Sequence, residues 1–237
     1  MKILAIDCSA TAASVAIVED NKILSSSYTN VGLTHSQTLV PMINSTLTNA
    51  DIELKAIDKY AINAGPGSFT GVRIGVAALK GLTALSRDNI IPLSTLESIG
   101  YNYAGVKDCT VCAVMDARCK QVYTASFDIN GESVTRLTED SAIMIDDLKD
   151  FLKKKKNVVF VGDGAELCYN MLKNDLDNIS IAPMNLRYQN AISVARCAFM
   201  HIEKGEPYIS SEQLLPTYLR APQAERELTK RKDAIKA

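Results

Sequence analysis

The sequence predicts an α/β protein of two lobes, each built on the same plan of strands and helices. Three observations point there. A strand–turn–strand–hairpin unit occurs twice in the chain, each copy is followed by alternating helix and strand patterns, and the composition is that of an ordinary globular protein. The chain has 237 residues, 47% of them hydrophobic and 22% charged. That length accommodates one large domain or two small ones.

The first copy opens with an apolar run from Lys2 that ends on Asp7. A small polar turn (Asp7–Thr11), a second apolar run and a hairpin signal (Glu19–Lys22) lead into a third run. Residues 109–136 repeat this design, with Asp116 closing the strand and a polar hairpin at Asp128–Gly131. Asp7 to Asn21 spans 14 positions, as does Asp116 to Asn130, and the two copies stand 109 residues apart. After the first copy, hydrophobic periodicity predicts helix 36–49, strand 60–63, helix 70–86, strand 90–92 and helix 95–103. After the second it predicts helix 145–155, strand 158–162, helix 165–174, strand 179–182 and helix 191–203. Two copies of βββαβαβα describe the actin-like, sugar-kinase-like ATPase architecture, a mixed sheet with covered faces in each lobe. Gly105 and Lys107 break the apolar periodicity near 103–108. The boundaries are therefore an N-terminal lobe 1–104, a C-terminal lobe 105–222, and a charged tail 223–237 predicted as frayed helix or disorder.

Composition excludes several classes of function. A net charge of −1 offers no basic field to attract nucleic acid. The most apolar stretch, 69–85, falls short of the roughly 20 residues that a membrane span needs, and Arg73 and Lys80 interrupt it. A cytoplasmic location follows, and it suits six cysteines read as free thiols. Cys109 and Cys112 form a CxxC, but in a strand, where positions i and i+3 face opposite ways. They read as buried thiols and not as metal ligands or a redox pair. The two histidines, His35 and His201, stand far apart, and neither belongs to a local metal-binding spacing, so no metal is expected. No GxSxG elbow is present. His35 reads as a helix-terminus residue, and Lys153–Lys156 as a solvated helix end.

Two segments could carry function. In ATP-using members of this architecture the first hairpin holds phosphate, with an aspartate at the strand end and glycine in the turn. Here the turns are Asp7-Cys8-Ser9-Ala10-Thr11 and Asp116-Ala117-Arg118-Cys119-Lys120, and neither contains glycine. A Cβ hinders close approach of phosphate to the backbone, so nucleotide binding by this chain alone is not expected. The second segment is Asn63-Ala64-Gly65-Pro66-Gly67-Ser68-Phe69-Thr70-Gly71-Val72-Arg73-Ile74-Gly75. It reads as a strand, a Gly-Pro-Gly turn and a helix capped by Ser68 or Thr70. Such a loop either holds an anion at the helix N-terminus or lets helix and sheet approach closely. It lacks the Gly-Lys-Ser/Thr ending of a Walker A loop.

The helix that follows is apolar on nearly every face, more than one covering stripe requires. Gly71, Gly75 and Ala78 form a small-residue ridge that would let another helix come close. The preceding helix is also rich in apolar positions, among them Leu39, Met42 and Ile43. Packing within the lobe could account for both helices. The alternative is a helix-bundle interface, homodimeric or with a partner, and arginine at Gly75 should block it while sparing the core.

The segments ILAIDCSATAASVAI, THSQTLVPMI, INAGPGSFTGVRIGVAALKGL, VMDARCKQVYTASF and LLPTYLR run along almost the whole chain. In them the sequence resembles the TsaB (YeaZ) family. The resemblance implies a two-lobed actin-like fold and a non-catalytic partner of the paralogue TsaD. With the ATPase TsaE, that pair makes N6-threonylcarbamoyladenosine at adenosine 37 of tRNAs decoding ANN codons. The catalytic paralogue carries an HxxxH metal motif, and Thr95 and Ile99 stand in its place here. The implied partner interface comprises Leu39, Met42, Ile43, Gly71, Val72, Arg73, Gly75, Val76, Ala78, Leu79 and Leu82, with Arg73 making a charged contact across it. The same face would pair two copies when the partner is absent. Asp7, Ser9, Gly65, Pro66, Gly67, Ser68, Phe69 and Thr70 would shape the cleft edge. No cofactor is implied except a nucleotide where partners meet, and tRNA contact is indirect. The rival readings are a small-molecule kinase, with Gly162-Asp163-Gly164 as its nucleotide glycines, and a glycoprotease-like hydrolase.

Overall fold

The computed structural model describes residues 1–20, 22–32, 34–84 and 89–220. The first copy folds as expected. Strands β1 (Lys2–Asp7), β2 (Ala13–Glu19) and β3 (Lys22–Thr29) form an antiparallel meander. Then come α1 (His35–Ala50), β4 (Lys59–Gly65), α2 (Phe69–Thr83), β5 (Ile90–Ser94) and α3 (Thr95–Gly100). The sheet order is β3-β2-β1-β4-β5, with β4 and β5 added in parallel. The end expected at Ser86 for the second helix lies outside the described residues, as does the tail 223–237.

The second copy repeats this with a change. β6 (Cys109–Asp116) and β7 (Gln121–Asn130) pair antiparallel, but the third strand is divided into β8 (Ser133–Arg136) and β9 (Ser141–Met144). Both halves pair with β7, at opposite ends. The helix expected at 145–155 is a 3-10 turn (Ile145–Leu148) and a single α-turn, α4 (Lys149–Leu152). Its acidic start and Lys153–Lys156 run carry too few apolar positions to cover a sheet over three turns. β10 (Val158–Val161), α5 (Ala165–Leu172), β11 (Ile179–Ile181), a short α6 (Met184–Arg187) and α7 (Ala191–Glu203) complete the order β11-β10-β6-β7-β8. No described helix is long and apolar enough to cross a membrane.

Strand alternation divides the core into layers. On β1, Leu4 and Ile6 face a cluster with Leu39 and Ile43 of α1 and Val72, Val76 and Leu79 of α2. Ile3 and Ala5 face the other way, where Ala16, Val18 and Ala61 meet Ala191, Val194, Ala195 and Ala198 of α7. Leu96 and Ile99 of α3 pack on Val111, Phe127 and Ile129 of the second sheet. The last helix of each copy thus covers the other copy's sheet. The 104/105 boundary separates the two sheets but not the two packing units. Cys109 and Cys112 lie on opposite faces of β6, in different clusters.

Candidate functional site

The Gly-rich loop sits where three pieces of backbone meet. The Ser68 N–H donates to Ser9 O at 2.6 Å, tying the loop to the first hairpin turn. The Thr217 N–H donates to Ala64 O at 2.7 Å, tying it to the C-terminal segment. Gly65 (φ 126°) and Gly67 (φ 159°) permit this, since a Cβ on either would lie 2.2 Å from Thr217 O or 2.3 Å from Ser9 O. Ser68 is the N-cap of α2, its hydroxyl accepting from Gly71 N. The N–H groups of Ser68 and Gly71 are therefore engaged within the chain. The close packing of helix and sheet expected of this loop is present.

Asp7 is 1% exposed, which corrects its expected place on the cleft edge. Its Oδ1 accepts from Ser9 N (2.8 Å) and Ser9 Oγ (2.6 Å), and its Oδ2 from Asn63 Nδ2 (2.6 Å). Asn63 Oδ1 in turn accepts from Ser98 Oγ. Burial raises the Asp7 pKa, and the hydrogen bonds from Ser9 and Asn63 oppose that rise. Asp116, its counterpart in the second copy, makes the same Asx turn by accepting from Arg118 N at 2.7 Å, but stands exposed. His35 begins α1, and its Nε2–H donates to Ala10 O at 2.7 Å.

A cleft of about 500 Å³ opens between the lobes, with Ser9, Thr11, His35, Ser68 and Phe69 on one side. Asp116, Arg118, Tyr123 and Asp163 line the other side, and Arg220 reaches Ala117 O at 3.0 Å. Burial pushes Asp163 up to about 6, helped by the Asp116 carboxylate and resisted by the Gln189 amide. The glycines around Asp163 pack on β6: a Cβ on Gly162 would lie 2.0 Å from Val114 O. That close contact accounts for Gly162-Asp163-Gly164 without a nucleotide.

The expected partner interface is largely internal. Leu39, Ile43, Val72, Val76 and Leu79 are core residues at 5% exposure or less. Gly71 and Gly75 face the sheet, where a Cβ would lie 2.1 Å from Cys8 O and 3.4 Å from Ile62 Cδ1 respectively. The small-residue ridge therefore seats α2 on its own sheet, not on a foreign helix. Met42, Ala78 and Leu82 are half-buried against the same core. Arg73, expected to reach across an interface, is held in the chain. Its Nε–H donates to Tyr218 Oη at 2.7 Å, and its guanidinium lies 3.8 Å from the Phe69 ring. Phe69 and Tyr218 stack at 4.8 Å.

Arg73 apart, what α1 and α2 present to solvent is a different set: Ser36, Gln37, Val40, Pro41, Asn44, Ser45, Thr48 and Asn49 on α1, and Thr70, Arg73, Ala77 and Gly81 on α2. Not one of the sixteen residues of α1 is Asp, Glu, Lys or Arg. The segment 210–220 borders this face: Lys80 Nζ donates to Glu212 O, and Leu214 is buried in the core below. Sequence reasoning noted LLPTYLR but could not foresee that it would strap the Gly-rich loop. Thr95 and Ile99, at the positions of the paralogue's histidines, are buried at 0% and 1%. Glu97, Cys197 and His201 bring three groups of metal-ligating type within 4.8 Å of one another; Cys197 and His201 stand four positions apart on α7, and Glu97 joins them from a distant part of the sequence.

A family model described as TsaD, tRNA N6-adenosine threonylcarbamoyltransferase, matches residues 29–228. The tRNA threonylcarbamoyladenosine biosynthesis protein TsaB of Buchnera aphidicola subsp. Schizaphis graminum is 30% identical over 212 residues, covering 88% of this chain and 97% of that protein. The chain belongs to the TsaB family. The TsaB of Bacillus subtilis is 29% identical over 226 residues, 95% of this chain and 96% of its own. The solved structure of YeaZ from Pseudomonas aeruginosa superimposes with a TM-score of 0.74 at 26% identity, covering 92% of this chain and 99% of that one. The TsaB-type chain thus shares its duplicated actin-like fold with relatives across nearly its whole length.

Proposed function

We propose that this chain is a non-catalytic subunit of the cytoplasmic machinery that forms N6-threonylcarbamoyladenosine at adenosine 37 of tRNAs decoding ANN codons. It pairs with the catalytic TsaD-type paralogue, works with the TsaE-type ATPase, and meets tRNA through them. It holds no nucleotide of its own; one binds only where a partner completes the site. The observation that carries this reading is the solvent side of α1 and α2. Two adjoining surface helices expose Val40, Pro41, Ala77 and Gly81 and almost no charge. Depletion of charge with retention of apolar surface is the composition of an interface core. Pro41 also leaves Gln37 O without its in-helix donor on that side. In the absence of the paralogue, the same face pairs two copies of the chain. The glycine-free hairpin turns and the buried Thr95 and Ile99 support a subunit that has lost phosphate and metal chemistry at those places.

The test is chromatography with light scattering, for the chain alone and with a TsaD-type partner. Wild type should form a one-to-one complex. Val40→Glu with Ala77→Arg, both on the exposed side, should abolish it while the unfolding midpoint stays within about 2 °C. A double variant that binds like wild type would refute the interface. Micromolar nucleotide binding by the isolated chain would favour the kinase reading instead.

A further inference from the structure

On the side of the molecule where α3 meets α7, Cys197 and His201 stand one turn apart on α7 and so share a face. Glu97 projects from α3, its backbone N–H donating to the N-cap Ser94. His201 Nε2 is 3.1 Å from Glu97 Oε1, and His201 Nδ1 is 2.6 Å from Glu206 Oε2. The other oxygen of Glu97 faces Arg136 at 3.4 Å, and Arg136 is bound more closely by Asp140 at 2.6 Å.

We propose that Glu97, Cys197 and His201 form a binding site for a borderline-soft divalent cation of the zinc type. A thiolate, an imidazole and a carboxylate are the donor set such an ion selects over magnesium or calcium. Three groups whose donor atoms lie within 4.8 Å of one another need only a small contraction to meet one ion, with water as the fourth ligand. The outer contacts are already in place. With the ion on Nε2, the ring proton belongs on Nδ1, where Glu206 accepts it, the carboxylate–histidine–metal arrangement that fixes a ligand ring. Arg136 braces Glu97 through the oxygen that does not face the ring. The Glu97 and His201 side chains are 19% and 15% exposed, so an ion reaches them from solvent, while Cys197 closes the site from within. Both ring nitrogens of His201 donate to carboxylates, so binding displaces the Nε2 proton of the ring as well as the thiol proton of Cys197; both leave to solvent, and the metal–nitrogen and metal–sulfur bonds form without any redox change. The ion staples α3, which covers the second sheet, to α7, which covers the first.

Cobalt(II) is the probe, titrated into the untagged full chain and followed by absorbance. The expected result is a near-ultraviolet thiolate-to-cobalt charge-transfer band with visible bands of a four-coordinate ion, both bleached by added zinc. Cys197→Ser should remove the charge-transfer band with circular dichroism unchanged. His201→Gln should weaken binding more than tenfold, and Glu206→Ala about tenfold. No band, or a band that survives Cys197→Ser, overturns the site. Should Cys197→Ser not fold, His201→Gln decides alone: unaltered cobalt affinity overturns the proposal.

Discussion

At the scale of single residues, Asp7 illustrates how a catalytic-looking group becomes structural. Its two oxygens take three donors and are sealed from the cleft. Asn63→Ala removes the donor to Oδ2 and leaves a buried carboxylate partly unpaired. The expected loss is about 2–3 kcal/mol, read from urea midpoints. Burial favours the neutral form of Asp163 as it does that of Asp7, but Asp163 has the Asp116 carboxylate beside it and the Gln189 amide as its side-chain donor. Its folded-state value lies above the unfolded one, so its contribution is full below the ordinary carboxylate range and is lost as pH rises through about 6. Asp163→Asn should therefore raise the thermal midpoint by roughly 2–4 °C at pH 8 and leave it unchanged at pH 4. The Asx turn at Asp7 was legible in sequence, because its partner is two residues away. The links from Asp7 to Asn63 and Ser98, and from the Cys197–His201 pair to Glu97, were not, because spacing rules register only neighbours along one element.

At the scale of elements, the strands and long helices were legible from periodicity, and their register followed from alternation. The direction of the α2 ridge was not. Gly71, Gly75 and Ala78 form a small-residue stripe whether the close neighbour is a foreign helix or the helix's own sheet, and the pattern is the same in both cases. Only the placement of Cys8 and Ile62 decides it. Gly75→Arg, which the sequence alone suggested as a clean interface block, should instead unfold the first lobe or cost about 3 kcal/mol or more, measured by thermal melting. Tyr218→Ala tests the strap that the sequence also left unseen. Losing the Phe69 stack and the Arg73 hydrogen bond from an exposed site should cost about 1 kcal/mol and speed proteolysis within 210–220.

At the scale of the whole molecule, duplication was legible because both copies kept the aspartate, the turn and the hairpin at equal spacing. The divided third strand was hidden, since 133–144 reads equally as one strand or two. The exchange of terminal helices was hidden too, for a helix pattern names its apolar face and not the sheet that face will meet. Residues 1–104 expressed alone should be insoluble or bind a hydrophobic dye, and adding separately made 105–220 should restore a soluble pair. Independent folding of the first piece would contradict the packing of α7. The exchange also sets an order of events during synthesis. When residue 104 leaves the ribosome, Ile3, Ala5, Ala16 and Val18 have no cover, and α7 is still unmade. At ordinary rates of translation the nascent first half waits roughly 5–20 s for its lid. Through that interval it is a client for chaperones, and the last of the described helices is the one that dismisses them.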